Sequence, residues 1–528
     1  MTNNGLDINH TYLGIELGST RIKGTLIDEQ HKPIFTSEFA WENKYEEGLW
    51  TYNLNELWSG IQCIFKSISN QVLEKHGKPL TRVGSICFSA MMHGYLPFDK
   101  DGSQLTAFRT WRNTNTEEAS KELSSLFKFN IPHRWSIAHL YQAILNEEEH
   151  INQIDYITTL AGYVHWKLTG SKVLGVGDAS GVFPINSKNG DYDASMIKNF
   201  DELIAQNSLD WNLSDVLPEI KYAGEEAGIL SEEGARLLDP TGILEAGIPL
   251  APPEGDAGTG MVATNSIEKL SGNVSAGTSI FSMTVLDRDL KKYYKEIDIV
   301  ATPAGDPVAM VHCNNFTSDI NDWFKMFTEM FGLFGLTIEQ SDLYENLFKK
   351  AMEADENTGD ITVCSYYAGE PITRFQEGRP VMVRKPDSEL NLANFMLSHI
   401  YSSLATLRIG MDILIESEDI KINQMNGHGG FFKTEIVSQQ IMADVLNVPV
   451  SVLETSGEGG AWGAAILAAY AERGEKEQDL DEYLSTEVFA SSDSNLRNPL
   501  KKGRDRFNRY LERYYSVLHV ERKAIEKL

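Results

Sequence analysis

Two stretches of the chain, about half its length apart, share one pattern of short apolar runs separated by a glycine turn. The first joins Tyr12–Leu17 to Gly24–Ile27, and the second lies within Ser271–Val285. Each pattern predicts a β-hairpin, because such runs bounded by glycine and hydroxyl residues are typical of paired strands. The repetition predicts an α/β protein with two similar lobes. We assign residues 1–264 to an N-terminal lobe and 265–528 to a C-terminal lobe.

Helical periodicity covers much of the remaining chain. Gly255–Val262 departs from this periodicity, since its glycines predict a turn. The last helical pattern, around Phe507–Leu518, predicts a packed tail helix that returns to the N-terminal lobe. The other predicted helices are Leu54–Leu73, Leu392–Ile415, Thr434–Leu446 and Gly459–Tyr470, and the other predicted strands are Val83–Phe88 and Val448–Leu453.

Composition and charge narrow the range of partners. The chain has 528 residues and a formal net charge of −28, so it is long enough for two cores and too acidic to favour nucleic acid or an anionic membrane. No run reaches the roughly 18 apolar residues of a membrane span, and the first residues lack a signal-peptide pattern. The four cysteines are widely spaced, which favours reduced thiols. We expect a cytoplasmic protein, with a homodimer left open.

The first hairpin turn, Gly18-Ser19-Thr20, has the composition of a phosphate-binding nest. Backbone N–H groups and hydroxyls around such a turn can face one anion. Glu16 before the turn adds a carboxylate able to hold Mg²⁺ through water, and Lys23 after it adds a cation. The second hairpin repeats the nest at Gly277-Thr278-Ser279. Taken alone, each turn is also compatible with an ordinary hairpin.

Two further segments carry candidate chemistry. Asp256 lies between glycines, which would let its carboxylate approach a ligand and take a proton from an attacking hydroxyl. The segment Gly427–Thr434 has the spacing of a P-loop, but Phe432 stands where that motif needs glycine. We therefore reject a true P-loop and keep a glycine loop that opens a helix, which can dock a flat base or an α-phosphate.

Together, and in this order, these motifs resemble the FGGY carbohydrate kinases of the actin/hexokinase/Hsp70 superfamily. The resemblance extends from Tyr12 to about Tyr470. Met92-His93-Gly94 is similar to the M-H-G of xylulokinase-like members, and Asp178 lies in a D-A-S-G loop similar to that of the family. The resemblance implies two ribonuclease-H-like lobes of the actin-like ATPase kind with a catalytic cleft between them. The sugar would lie mainly on the N-terminal lobe and ATP mainly on the C-terminal lobe.

The resemblance also implies residue roles. Asp256 becomes the general base and, with Glu16, a candidate ligand of Mg²⁺. The residues expected to contact the sugar are Met92, His93, Trp111, Asp178 and Asp256. Those expected to contact ATP are Gly18, Ser19, Thr20, Lys23, Gly277, Thr278, Ser279, Gly429, Gly430 and Lys433.

Three positions depart from the family pattern. Glu16 replaces the usual aspartate, and its extra methylene would shift a metal ion or its water. The segment Trp111–Asn115 lacks the family's acid and arginine, and the neutral amides of Asn113 and Asn115 favour an uncharged polyhydroxy substrate over a sugar acid. Phe431-Phe432 is bulkier than the residues common after the glycine loop and is expected to contact the base.

D-Xylulose is the preferred substrate on this resemblance, because of Met92-His93-Gly94. L-Ribulose, other ketoses, gluconate and polyols stay open. A non-catalytic ATP-binding sugar sensor of the same fold is a different kind of protein that the motifs also permit. Asp256 argues against that alternative, since a sensor needs no general base.

Overall fold

The computed structural model describes residues 7–434, 436–453, 458–473, 478–490 and 495–528. Strands and helices are numbered in chain order. The strands are β1 Tyr12–Leu17, β2 Arg21–Ile27, β3 Pro33–Ala40, β4 Lys44–Glu46, β5 Leu49–Thr51, β6 Ser85–Ala90, β7 Leu96–Phe98, β8 Tyr156–Thr158, β9 Val173–Gly175, β10 Glu219–Lys221, β11 Glu254–Gly255, β12 Ser271–Ala276, β13 Ile280–Val285, β14 Asp298–Ala301, β15 Pro307–Cys313, β16 Ile361–Cys364, β17 Val381–Arg384, β18 Gln424–His428 and β19 Val450–Ser451. The helices are α1 Leu54–His76, α2 Glu117–Phe127, α3 Ser136–Leu145, α4 Leu160–Thr169, α5 Val176–Ala179, α6 Ala194–Ile204, α7 Leu213–Val216, α8 Glu232–Leu238, α9 Asp256–Ala263, α10 Ser318–Leu333, α11 Gln340–Ala351, α12 Leu392–Asp412, α13 Val437–Leu446, α14 Gly460–Arg473, α15 Leu480–Tyr483 and α16 Lys501–Lys527.

The N-terminal sheet is built around the first predicted hairpin. Its strand order is β11-β6-β1-β2-β3, with β1 antiparallel to β2 and parallel to β6. Strand β11 also runs parallel to β6. The carboxyl ends of β1, β6 and β11 therefore meet at one edge of the sheet. Glu16 lies near the end of β1 and Asp256 directly follows β11, so two residues far apart in sequence are brought to the same edge.

The C-terminal sheet repeats this plan around the second hairpin. Its order is β14-β15-β13-β12-β18-β19, with β12 antiparallel to β13 and parallel to β18. Strand β19 extends the parallel part, as β11 does in the first sheet. Both lobes thus combine an antiparallel hairpin with two further parallel strands, which confirms the two-lobed α/β fold predicted from the repeat.

Helix α1 shows how local sequence sets an element that covers the first sheet. The Asn53 side chain accepts the N–H groups of Asn55 and Glu56 at its start, and Gly77 ends it in the left-handed conformation. Its apolar stripe, which includes Ile64, is buried against β2 and β3. There a Cβ on Gly24 would lie only 2.2 Å from the Ile64 side chain, so glycine in β2 lets the helix approach the sheet.

Helix α14 of the C-terminal half packs on the N-terminal sheet and on α9. A Cβ on Gly14 in β1 would lie 2.0 Å from the backbone oxygen of Ala461, and one on Gly463 would lie 2.0 Å from that of Thr259. Glycines on both partners therefore allow backbone-to-backbone packing. This close packing fixes α9, and with it Asp256, between the two lobes.

The tail helix α16 does not return to the N-terminal lobe, so that expectation is wrong. It packs against β16, α12 and α13 of the C-terminal lobe. The Tyr510 hydroxyl is hydrogen-bonded to the backbone of Val363 and Ser398, and the Arg506 guanidinium donates to the Tyr401 hydroxyl. The apolar stripe read from the sequence is buried as predicted, but against the other lobe.

The segment Gly255–Val262 is not a turn, because Asp256 begins helix α9. Glycine weakens a helix through backbone entropy, and here the packing of α14 offsets that cost. A Cβ on Gly258 would lie 3.2 Å from the Pro303 ring, so this glycine also gives space to the C-terminal lobe. Within the described part of the chain, no helix is both long and apolar enough to cross a membrane.

Candidate active site

Asp256 stands at the first position of α9, at the edge where β6 and β11 end. One of its carboxylate oxygens accepts the backbone N–H of Met92 at 3.2 Å. Burial raises the pKa of Asp256 to about 6, although the N–H groups of Met92 and Ala257 favour its charged form. A carboxylate with a pKa near the working pH is well placed to accept a proton from a hydroxyl group.

Glu16 is the second carboxylate at this edge. Burial, and then the charge of Asp256, raise the pKa of Glu16 to about 7, while Lys23 and the N–H of Ala461 oppose the shift. A Cβ on Gly460 would lie 2.4 Å from a Glu16 oxygen, so glycine is needed where α14 begins. The two carboxylates therefore share one site and repel each other when both are ionised.

The chemistry of this pair fits Mg²⁺. Oxygen ligands suit this ion, which commonly binds one or two carboxylates together with water and substrate phosphates. The pKa values of both carboxyl groups are raised, and a divalent cation bound between them would stabilise their ionised forms. Across the ranges that the structure describes, no cluster of three or more His, Cys, Asp and Glu side chains could hold a metal ion, so Glu16 and Asp256 would have to be completed by nucleotide and water.

His93 follows Met92 on the loop after β6, in a backbone conformation that is uncommon for residues other than glycine. Its φ is 69°, and that of Gly94 is 86°. The ring stacks on Trp135 with centroids 6.0 Å apart, and its Nδ1 lies 3.1 Å from the Gly181 carbonyl oxygen. Burial lowers the pKa of His93 well below its usual value, so Nδ1 donates and Nε2 is an acceptor. Such a ring can accept a hydrogen bond from a sugar hydroxyl.

Asp178 reaches the same region from α5. One carboxylate oxygen accepts the Thr159 hydroxyl at 2.5 Å, and the other is buried with no hydrogen-bond partner. That second oxygen lies 3.4 Å from the position of a Cβ on Gly255, next to Asp256. Burial and the charge of Asp256 raise the pKa of Asp178 to about 7. The unpartnered oxygen is suited to a ligand hydroxyl, because buried polar groups usually have partners.

Met92 contacts Asp256 through its backbone rather than through its side chain. Its N–H binds Asp256, and its side chain is buried against Gly255, where a Cβ would lie 2.2 Å from Met92 Cγ. The methionine therefore packs against β11.

The segment Trp111–Asn115 was predicted to offer neutral amides to the sugar, and for Asn113 this is wrong. The Asn113 amide is buried and binds the backbone N–H and carbonyl of Trp50 at 2.9 and 2.8 Å. Trp111 lies on an exposed turn beside Arg112, whose guanidinium stacks on Trp50 at 3.8 Å. Among the contacts of the described residues, none links Trp111 to Glu16, Asp178 or Asp256.

The two predicted phosphate turns are held in the same way. Trp41 Nε1 donates to the Gly18 carbonyl at 2.7 Å, and the Tyr52 hydroxyl donates to that of Ser19 at 2.6 Å. In the second turn, the Thr317 hydroxyl donates to the Gly277 carbonyl at 2.8 Å. Fixing the carbonyl groups orients each peptide, so its N–H edge can face a phosphate.

Other predicted ATP residues lie near these turns. Thr20 and Thr278 are exposed and Ser279 is half-buried. Lys23 donates to the Glu458 carbonyl at 2.7 Å, which ties β2 to the start of α14.

The third predicted nucleotide loop follows β18. Gly429 has φ of 99°, and a Cβ there would lie 2.5 Å from the Ala276 carbonyl oxygen, so only glycine fits beside the second hairpin. Gly430 and Lys433 are exposed, as a nucleotide contact requires. Phe431 and Phe432 are buried in the core of the C-terminal lobe, so the expected contact with the base is wrong. Phe432 fills the space beneath Gly427, where a Cβ would lie 2.4 Å from its ring.

One buried residue in the site was missed by the sequence analysis. Glu254, two positions before Asp256, accepts the N–H groups of Gly177 and Asp178. Burial, and then the charge of Asp178, raise the pKa of Glu254 to about 8. Its place two residues before the predicted base was the only signal available, because the sequence does not reveal that the Asp178 loop approaches it.

Two family models match the chain over most of its length. Residues 11–263 match the N-terminal domain of the FGGY family of carbohydrate kinases, and residues 272–472 match the C-terminal domain of that family. The chain belongs to the FGGY family of carbohydrate kinases. This FGGY kinase is therefore an ATP-dependent sugar kinase, and ATP and a sugar are its substrates.

The relatives of this FGGY kinase are distant. The xylulose kinase of Staphylococcus epidermidis is 20% identical over 475 residues, which cover 88% of each chain. Two solved structures from Lactobacillus acidophilus, a ligand-bound xylulose kinase and a gluconate kinase, are each 17% identical to this chain, and each comparison covers 97% of this chain and 98% of the other. Their TM-scores of 0.79 and 0.77 show the two-lobed actin-like ATPase fold. Because kinases for two substrates match almost equally well, the fold does not identify the sugar.

Proposed function

We propose that this FGGY kinase transfers the γ-phosphoryl group of ATP to the terminal primary hydroxyl of a ketopentose, with D-xylulose as substrate and D-xylulose 5-phosphate as product. The observation that carries this proposal is the hydrogen bond between Met92 N–H and the Asp256 carboxylate. It joins the M-H-G loop, which resembles that of xylulokinase-like members, directly to the candidate base.

Asp256 acts as the general base in this proposal. Its ionised carboxylate accepts the proton of the primary hydroxyl as that oxygen attacks the γ-phosphorus. The bond between the γ-phosphorus and the bridging oxygen breaks, and ADP leaves. Positioning supplies most of the rate in phosphoryl transfer, because little other covalent chemistry is left to the protein.

The two hairpin turns bind the phosphates from opposite lobes. Ser19 and Thr20 contribute from the N-terminal lobe, and Thr278 and Ser279 from the C-terminal lobe. Glu16 and Asp256 would hold Mg²⁺, which supplies positive charge to the phosphate oxygens. Gly429, Gly430 and Lys433 would lie beside the remainder of the nucleotide.

The charge of the sugar side favours an uncharged substrate. Burial raises the pKa values of Asp178, Glu254 and Asp256 to about 7, 8 and 6, so ionising even these carboxyls is costly here, and His93 is neutral because burial lowers its pKa. The Arg134 guanidinium, whose charge also lowers the pKa of His93, is paired with Asp298 at 2.5 Å. A sugar acid would bring its own carboxylate into a region where burial already disfavours ionised carboxyls. This argument favours a ketose over gluconate.

The proposal is tested by measuring ATP-dependent phosphorylation of D-xylulose, L-ribulose, a polyol and gluconate under the same conditions. We expect the highest kcat/KM for D-xylulose, and formation of a 5-phosphate that ³¹P NMR can identify. A higher kcat/KM for gluconate would contradict both the substrate and the charge argument. Hydrolysis of ATP with no phosphorylated sugar in any reaction would contradict the catalytic role.

A further inference from the structure

Glu254 is enclosed by the backbone of the loop that carries Asp178. One of its oxygens accepts the Gly177 N–H at 3.2 Å, and the other accepts the Asp178 N–H at 3.0 Å. A Cβ on Gly175 or Gly177 would lie 2.2 or 2.4 Å from a Glu254 oxygen, and one on Gly258 would lie 3.3 Å away. These three glycines therefore make room for the carboxylate. Glu254 is only 1% exposed, so its carboxylate depends on these backbone groups for its hydrogen bonds.

The loop of residues 175–181 makes contacts in three directions. Asp178 places its unpartnered oxygen next to the start of α9. The Gly181 carbonyl accepts the Nδ1–H of His93. The Ser180 hydroxyl oxygen accepts the backbone N–H of Ala301 at 2.9 Å, and Ala301 ends β14 of the C-terminal lobe. The loop thus connects both sugar-side residues to the opposite lobe.

We propose that Glu254 is a positioning residue that holds the 175–181 loop against β11 and so couples sugar binding to closure of the two lobes. It acts through Asp178, His93 and Ser180 rather than on the substrate itself. The inference rests on the proposed sugar-side roles of Asp178 and His93. A loop that moves away from Asp256 leaves room for water, which then competes with the sugar hydroxyl for the γ-phosphoryl group.

Two substitutions disturb this contact in different ways. Glu254→Gln replaces one acceptor oxygen by an amide that points a donor at a backbone N–H. Gly177→Ala removes no charge, but its methyl group would lie 2.4 Å from a Glu254 oxygen and 3.2 Å from the Ala301 carbonyl oxygen. Both should lower kcat by about 10²-fold, since a misplacement of about 1 Å has that effect. We expect the KM of the sugar to rise and the KM of ATP to stay within about twofold, as its loops are untouched.

The deciding measurement is the ratio of ATP hydrolysed to sugar phosphate formed, on the sugar that the wild type phosphorylates fastest. We expect a ratio near one for the wild type and a severalfold higher ratio for both variants. Two control variants should leave the ratio unchanged. In Gly332→Ala the new Cβ meets no atom within 4 Å. Glu521→Gln changes another buried glutamate, which accepts the Arg379 N–H in the C-terminal lobe.

The outcomes separate this inference from the proposed substrate. If both variants lose activity and thermal stability but keep the wild-type ratio, Glu254 is only structural and the inference is overturned. If Glu254→Gln does not fold, Gly177→Ala decides by the same ratio. A wild type that prefers a polyol would reject D-xylulose as the substrate, and the coupling ratio would then be measured with that polyol.

Discussion

The burial of Asp256 should make the protein less stable than it would be with a neutral side chain at this position. Its pKa rises from 3.8 in a free carboxyl to about 6 in the folded protein. The folded state binds the proton of Asp256 more tightly than the unfolded state does. The resulting contribution to the free energy of unfolding is fully present below pH 3.8 and is lost as the pH rises through 6. At pH 8 the ionised carboxylate costs about 3 kcal/mol, and at pH 5 about half as much.

Asp256→Asn should remove this cost and abolish the reaction. The amide oxygen can still accept the Met92 N–H, so we expect the fold to be kept. In metal-free buffer the variant should gain about 3 kcal/mol in unfolding free energy at pH 8, and about half of that at pH 5. Turnover should fall by about 10²- to 10⁴-fold, as for the loss of a general base.

Chemical denaturation at the two pH values, with sugar turnover measured on the same samples, checks both expectations. Asp387→Asn, in an exposed segment of the C-terminal lobe, is the matched control and should change neither quantity. A variant that is no more stable than the wild type at pH 8 would refute the burial argument. A variant that keeps more than about half of the wild-type turnover would refute the role of Asp256 as base.

Four other substitutions test separate parts of the account. Glu16→Gln should raise the Mg²⁺ concentration needed for half-maximal activity by about tenfold or more, because one of two carboxylate ligands is lost; an unchanged Mg²⁺ titration would contradict the pairing. Thr278→Val should raise the KM of ATP more than that of the sugar, and the reverse order would place the nucleotide elsewhere. His93→Ala should raise the KM of the sugar by more than about tenfold with little change for ATP, as steady-state kinetics with both substrates will show. Phe432→Ala should lower the unfolding free energy by about 3–5 kcal/mol in denaturant titrations, whereas a base-contacting ring would mainly change the KM of ATP.

The sequence was sufficient for the two hairpins, whereas it paired Glu16 with Asp256 only through the family resemblance, and the shared edge is seen in the structure. The hairpins are local, since each depends on a few residues around a glycine turn. The parallel strands then bring distant residues to one edge of a sheet. Whether Glu16, Asp256 and the phosphate turns act as proposed stays a prediction until kinetics are measured.

Other features depend on packing that local patterns do not encode. The glycines of Gly255–Val262 predict a turn, but α14 packs on them and makes them helical. The apolar stripe of α16 shows that the helix is buried without showing which lobe covers it. Phe432 was assigned to the nucleotide because of its place in a glycine loop, and only the structure shows its ring beneath Gly427. Glu254 was missed because its partners lie about 77 residues earlier in the chain.

The central claim is that Asp256 deprotonates a sugar hydroxyl for phosphoryl transfer from ATP. The most direct test is a ³¹P NMR time course of ATP, Mg²⁺ and D-xylulose with the wild type and with Asp256→Asn. With the wild type, the account predicts that a sugar 5-phosphate and ADP form in equal amounts. With the variant, which should still bind ATP, it predicts a rate of sugar phosphate formation that is lower by at least about 10²-fold. Equal rates of sugar phosphate formation by the two proteins would contradict it.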